Sequence, residues 1–373
     1  MLIARPRLPS PALSVLTAFT RISYPQALQT LFRSAGYKLR PPKPVPYEPS
    51  ASRATEAALA RCEGEPRQLA RLLREPRHGA IPTIVLGGFV PDSTEQVFLL
   101  RSFLLKRGSV YYFNYAPEGF SLELICAQID DLVTELANEH GRRPVILAVS
   151  FGVGIALEWL RRVRAQGRTA DLAGLVFISP VACMADVLDP AEAKPSTLLG
   201  RALKPYVGQG SLIDASVIEK SRSIFTKMFE AGAQNRASIA AVMTAEELRL
   251  LRNRVLGTIH AIDFKGACER VSALCDMPAP SAWREPELMP LCEAPVLVLY
   301  AEKESAVLTD NSPTRLAFQS IHTAFFPHGS CRLVSGGDSQ VQHASLIFHH
   351  FQFLLPIARF YRRLKPGRIR LAA

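Results

Sequence analysis

Pro144 to Leu160 reads PVILAVSFGVGIALEWL, and its texture changes halfway along. Val145-Ile146-Leu147-Ala148-Val149 is a short apolar run rich in β-branched residues, which suits a strand buried on both faces. Phe151 to Arg164 has helical character, with small residues Gly152, Gly154 and Ala156 in its first turns and arginines near its end, where cations complement the helix dipole. Ser150 stands between the two. So sharp a turn needs tiny flanking residues, and Ala148-Val149-Ser150-Phe151-Gly152 has alanine before the serine and glycine after it. The turn lifts the hydroxyl clear of the sheet edge. The helix N-terminus behind it offers positive partial charge and the free N–H of Phe151. The plainer reading is a serine that N-caps an ordinary strand-to-helix turn.

Upstream, Thr83-Ile84-Val85-Leu86 is another buried run, followed by the loop Gly87-Gly88-Phe89-Val90-Pro91. Ser93 with Gln96 has the capping-box pattern and predicts a helix through Lys106. Ser109 to Phe113 reads as a strand. Ser121 caps a helix whose apolar positions Leu122, Ile125, Ile129, Leu132 and Leu136 step by three and four, closed by His140-Gly141. Downstream, Ala173 to Ser179 is again a strand. This alternation predicts an α/β fold, a mostly parallel sheet with helices on both faces.

From Met184 to Pro290 the alternation stops and only helical or irregular segments appear, among them Ser211 to Met228 and Thr244 to Leu256. Strand character returns at Pro295 to Tyr300. Ser312-Pro313 then opens a helix, Cys331 to Val334 makes a last strand, and a long C-terminal helix is expected from about His343. The expected organisation is therefore a core over 81–183 and 291–373, a large helical lid over 184–290, and an N-terminal helical extension over 1–80. That extension reads as an amphipathic helix from Pro11 to Arg33, a stiff Pro-rich linker from Pro41 to Pro46, and two short helical segments divided by Gly64 and Pro66.

A chain of 373 residues, 48% hydrophobic and 21% charged, is globular and long enough to bury a large core. No apolar run is long enough to span a bilayer, and Pro6, Pro9 and Pro11 interrupt the N-terminal apolar segment, which argues against an export signal. The seven cysteines are odd in number and lack C-x-x-C spacing; that pattern fits reduced thiols in a cytoplasm better than a disulfide frame or a zinc site. The net charge of +11 is mostly arginine spread along helix faces. One cluster, Arg359 to Arg370, mixes cations with aromatics. It and the N-terminal helix are where any peripheral membrane contact is expected, and no nucleic-acid module is recognisable.

The order of these elements resembles the α/β-hydrolase superfamily over residues 81 to 183 and 291 to 360. The resemblance implies a triad in chain order nucleophile, acid, base, each at the C-terminal end of a strand. Ser150 takes the nucleophile position. Ala301-Glu302-Lys303-Glu304-Ser305-Ala306-Val307 is similar to the family's acid turn with Glu304 in the acid position, and Glu302, Asp310 and Asp186 stand as alternatives. His343, after Gly336-Gly337, takes the base position. His322 and His328 precede the last strand, while His349 and His350 fall a turn or more into the expected helix. The implied oxyanion donors are the N–H of Phe151 and one from the Gly87-Gly88-Phe89 loop, of Phe89 or of Val90. Ala148, Gly87 and Glu304 are departures from the usual Gly, His and Asp. A serine hydroxyl needs an imidazole to take its proton and a carboxylate to orient that imidazole, which is why these residue types belong together.

The resemblance implies a serine hydrolase working through an acyl-enzyme, with no cofactor or metal. Apolar lid positions such as Leu198, Val217, Phe225 and Met228 point to an acyl-chain-like ester or thioester as the partner. An acyltransferase with a non-water acceptor and a non-catalytic member of the fold that binds a hydrophobic ligand are the alternatives.

Overall fold

The computed structural model describes residues 44–62, 67–139, 141–189, 192–208, 215–233, 243–336 and 340–364. The strands are β1 (Val45–Pro46), β2 (Arg71–Glu75), β3 (Thr83–Leu86), β4 (Val110–Asn114), β5 (Val145–Val149), β6 (Gly174–Ile178), β7 (Val296–Ala301) and β8 (Gly329–Val334). The helices preceding Ser150 are α1 (Arg53–Arg61), α2 (Ser93–Gln96), α3 (Arg101–Leu104) and α4 (Leu122–Thr134). Those following it are α5 (Phe151–Ala165), α6 (Leu198–Leu203), α7 (Ala215–Ala233), α8 (Ala245–Ala261), α9 (Phe264–Asp276), α10 (Pro313–Phe325) and α11 (His350–Arg363).

All eight strands form one sheet in the order β1-β2-β4-β3-β5-β6-β7-β8, parallel from β4 to β8 and antiparallel where β2 meets β4 and β1. The pleat sends alternate side chains to opposite faces. Ile146 and Ala148 of β5 join one apolar core with α4, α5 and α10, while Val145, Leu147 and Val149 join a second core with α3 and α11. Each wholly buried Val, Leu, Ile or Phe contributes about 1.5–3 kcal/mol. Because the central strands are parallel, their C-terminal ends lie along one edge, and the loops after β3, β5, β6, β7 and β8 converge there.

The helical segment between β6 and β7 contains no strand among its described residues. Its helices α7 and α8 sit on a third apolar cluster, separate from both sheet cores, in which Val255 and Ile259 meet Phe98, Leu99, Ile347 and Phe348. Thr244 caps α8 through a capping box with Glu247, and Ser121 and Ser312 cap α4 and α10. All seven cysteines are free thiols. Among the described residues no helix is long and apolar enough to cross a membrane.

Four local readings differ from the structure. The second short helix expected before residue 80 is instead strand β2, which pairs along its length with β4, so the sheet reaches into residues 1–80. A stretch as short as Arg71-Leu72-Leu73-Arg74-Glu75 has no decisive period of its own, and the partner strand determines its conformation. The first short helix, α1, is held to α4 by Asp131, whose carboxylate accepts the N–H groups of Ala54 and Thr55, both at 2.9 Å. The helix expected from Ser93 to Lys106 is broken into α2 and α3, and Asp92 is its N-cap. Ser93 donates to the Phe113 carbonyl at 2.6 Å and Gln96 accepts from Gly88, so neither serves as a cap. Finally, the C-terminal helix starts at His350, leaving His343 on a turn. The expected amphipathic helix at Pro11 to Arg33, His140, and the tail beyond Leu364 lie outside the described residues.

Candidate active site

Ser150 follows β5 with φ of +51° and ψ of −119°, a conformation that a residue with a Cβ rarely adopts. Its N–H is bonded to the Ile178 carbonyl at 2.8 Å, and its own carbonyl accepts from Val153 at 2.9 Å. α5 then passes very close to the end of β3. A Cβ on Gly152 would stand 2.4 Å from the carbonyl oxygens of both Leu86 and Gly87, so only glycine fits there. Ala148, at the other end of the pentapeptide, is wholly buried in the core without obstruction.

The Oγ of Ser150 lies 2.9 Å from Nε2 of His343. The other imidazole nitrogen, Nδ1, makes a short hydrogen bond with Oε2 of Glu304. Glu304 is 4% exposed, and its second oxygen, Oε1, accepts from Ala301 N–H at 2.7 Å and from Ser179 Oγ at 2.8 Å. A carboxylate with both oxygens engaged has one orientation, which fixes the imidazole in turn.

The alternative carboxylates have other partners. Glu302 accepts from Val341 N–H at 2.7 Å and from Gly336 N–H at 3.2 Å, tying the turn that carries His343 to the end of β7. Asp186, fully buried, accepts from Ser312 Oγ at 2.6 Å and from the N–H groups of Ala182, Cys183 and Thr314, anchoring the start of α10. Asp310 is exposed. Of the competing histidines, His322 bonds the Phe318 carbonyl and His349 bonds Ser345; burial pushes the His349 pKa down. His349 is the N-cap of α11 and His350 its first residue, so neither stands a turn into that helix.

Sequence reasoning missed Ser179. It is fully buried at the end of β6 with φ of +47°, donates to Glu304, and accepts the N–H of Ala344 at 3.0 Å. The available signal was a serine ending a core strand, as Ser150 does. Ser150, Ser179 and Ala344 are the non-glycine residues with positive φ among the described residues, and all three belong to this constellation. Backbone strain of this kind, on the order of 1–3 kcal/mol per residue, persists only where surrounding contacts enforce it.

The loop after β3 abuts the serine: a Cβ on Gly88 would be 3.4 Å from that of Ser150. The Phe89 ring stacks on Phe151 with centroids 4.3 Å apart. The first N–H groups of a helix have no intrahelical acceptor, which leaves that of Phe151 free to face a bound group. Neither Phe89 nor Val90 has an N–H acceptor among the described residues, so both remain second donors by this geometry.

A cavity of about 150 Å³ opens over Ser150 and His343, walled by Phe225, Met228 and Phe229 of α7 and by Val255 and Ile259 of α8. Behind Phe225 and Ile259 lies a second, apolar chamber of about 40 Å³ bounded by Leu203, Ile218 and Val271. A serine hydroxyl and an imidazole, the latter held from behind by a buried carboxylate, thus face a small apolar space. Such an arrangement can activate a hydroxyl toward a carbonyl carbon.

No family model and no curated protein sequence matches the chain. Several solved structures are similar in fold. A thermophilic esterase from Thermogutta terrifontis is 15% identical, with 86% of this chain and 99% of that one covered at a TM-score of 0.51. A bromoperoxidase from Bacillus anthracis is 15% identical over 79% of this chain and 96% of that one, TM-score 0.52. A mutant of an epoxide hydrolase from Bacillus megaterium, complexed with its product, is 11% identical over 79% and 98%, TM-score 0.53. At such identities the likeness is one of fold, and the reactions those neighbours are named for differ among themselves.

Proposed function

We propose that this chain, which has the α/β-hydrolase fold, is a serine hydrolase that cleaves a carboxylic ester or thioester with a hydrophobic acyl group. The observation that carries the reading is the continuous relay from Ser150 Oγ through His343 to Glu304, with 2.9 Å between hydroxyl and imidazole. Ser150 Oγ attacks the carbonyl carbon while His343 Nε2 takes its proton. The resulting oxyanion is held by the N–H of Phe151 and by one from the Phe89 loop. Collapse of the tetrahedral species expels the alcohol or thiol, which takes the proton from His343. Water, activated by the same imidazole, then releases the acid and restores Ser150. Glu304 stabilises the imidazolium throughout. The apolar walls supplied by α7 and α8 support an acyl chain as the group bound and support their role as a cover over the site.

A fluorophosphonate probe tests this directly. It should modify Ser150, located by mass spectrometry, and labelling should vanish in His343→Ala. Turnover of a p-nitrophenyl ester should fall by roughly 10⁴–10⁶-fold in Ser150→Ala, because triad members act as a unit. Near-normal turnover in that variant would overturn the assignment.

A further inference from the structure

Arg270, on α9 of the helical segment, is 3% exposed, and no carboxylate lies within ion-pair distance of it among the described residues. Its guanidinium donates to the carbonyls of Phe89 at 2.6 Å, Ala116 at 3.1 Å and Tyr115 at 3.4 Å. It also lies over the rings of Tyr115 and Phe120, 5.9 and 5.8 Å from their centroids, and its Nε has no partner. Burial lowers its pKa to about 10, so it is still a cation at neutral pH. The carboxylates of Asp92 and Glu269 act on it only through space, and a charge this deep without a direct ionic partner costs stability that a packed apolar side chain filling the same space would not.

What the charge holds is the loop beside Ser150. The Gly87–Gly88 peptide is gripped at both edges, its carbonyl accepting from Tyr115 OH at 3.0 Å and its N–H donating to Gln96 at 2.8 Å. Arg270 grips the Phe89–Val90 peptide by its carbonyl. In a trans peptide the N–H points opposite to the C=O, so this contact also sets the direction of the Val90 N–H. The intervening Gly88–Phe89 peptide, which carries the Phe89 N–H, is confined between two fixed planes. α9 is itself firmly seated: a Cβ on Gly266 would overlap the Pro117 carbonyl oxygen at 1.7 Å, and Glu269 accepts the Phe120 N–H at 2.8 Å.

We propose that Arg270 is a positioning residue of the oxyanion hole, holding the Phe89–Val90 peptide so that the loop's N–H donors are pre-aimed at the oxyanion formed on Ser150. This rests on the serine-hydrolase reading above. It makes the hole a joint product of the sheet core and the helical segment, because its second donor is oriented from α9. Donors aimed in advance cost no reorganisation when charge develops, which is where such sites gain most of their rate.

The test uses the full chain, with Arg270→Met and Arg270→Lys beside the wild type, and active sites counted by fluorophosphonate so that misfolded protein is not scored. In Arg270→Met, kcat per active site on a p-nitrophenyl ester should fall about 100-fold with KM nearly unchanged. The Ki of an alkyl trifluoromethyl ketone, whose adduct carries the oxyanion, should rise by a similar factor. The acid limb of the pH–rate profile should not move. Arg270→Lys, which keeps charge and a single donor, should lose about 10-fold in both quantities and decides the matter alone if the methionine variant fails to fold. Wild-type kcat and Ki in a folded variant would overturn the proposal, as would a fall in kcat with the ketone Ki unmoved. If the wild type is neither labelled at Ser150 nor active, the hydrolase reading itself fails and this inference with it, a result separable from loss confined to the variants.

Discussion

Gly152→Ala sets local propensity against tertiary contact. In the first turn of a helix, alanine is favoured over glycine by about 0.5–1 kcal/mol, so helix propensity alone says the change stabilises. The structure says the reverse. The new methyl would meet two backbone carbonyl oxygens, of Leu86 and Gly87, at 2.4 Å each, and neither can rotate aside. An ordinary contact begins near 3.4 Å, so α5 and the end of β3 must part by up to about 1 Å. Overpacking of this kind costs about 1–3 kcal/mol, which leaves a net loss once the propensity gain is subtracted and lowers Tm by about 1–3 °C in a chain of this length. Gly87 leads directly into Gly88 and Phe89, so the displacement reaches the loop proposed to carry the second oxyanion donor. Misplacement of that size costs up to about 100-fold in rate. Thermal melting and second-order inactivation by a fluorophosphonate, compared with the wild type, measure both effects. Ala148→Gly is the matched control: it restores the other glycine of the pattern, opens no clash, and should cost about 0.5–1 kcal/mol with the inactivation rate within about threefold. A Gly152→Ala protein with a raised Tm and wild-type reactivity would refute the reasoning.

Three other variants probe separate links. Glu304→Gln sets an amide NH₂ against groups that are all donors, since one carboxylate oxygen accepts from Ala301 N–H and Ser179 Oγ and the other faces His343. Its kcat should drop by about 10³–10⁴-fold, whereas Glu302→Gln, which keeps a carbonyl for Val341 and Gly336, should lose less than about tenfold. Equal losses would remove Glu304 as the acid. Phe225→Ala opens the wall between the two cavities, and the kcat/KM ratio of an octanoyl to a butyryl ester should rise severalfold, each methylene newly buried being worth about 0.8 kcal/mol; an unchanged ratio would show that the chambers do not share a substrate. Glu95 is 8% exposed and burial raises its pKa, a like charge on Asp92 adding to this, while Thr94 and Arg254 oppose it. The folded state therefore binds more protons than the unfolded one, so this group's stabilisation is present at low pH and lost as pH rises through its folded pKa. Glu95→Gln removes that loss: Tm should increase at pH 8 and by less, or not at all, at pH 4.

The parallel core was legible because period and punctuation along the chain carry it. Val145 to Val149 can be buried on both faces only inside a sheet, and the turn at Ser150 between that run and the small residues of α5 fixes where the sheet edge lies. The caps at Ser121, Thr244 and Ser312 were equally readable, since a cap is a contact between residues three apart. Ser93 with Gln96 has the same local pattern and is no cap, because Phe113 and Gly88 compete for its side chains through tertiary hydrogen bonds. β2 was misread for a related reason, its five residues taking their conformation from β4.

At the site, residue types and chain order were visible, and the partners were not. Glu302 and Glu304 both follow β7 and Asp186 follows β6, so all three stand near the same sheet edge and chain position does not say which of them faces His343. Here Glu302 binds the histidine turn, Asp186 binds α10, and Glu304 alone meets the imidazole. Ser179 and Arg270 carry no mark in the sequence beyond a serine at a strand end and an arginine in an amphipathic helix. Their roles come from contacts 125 and 181 residues distant along the chain. Periodicity records how one element faces the core, whereas these contacts depend on strand order and on the seating of α9 against the Pro117 loop, which only the assembled fold determines.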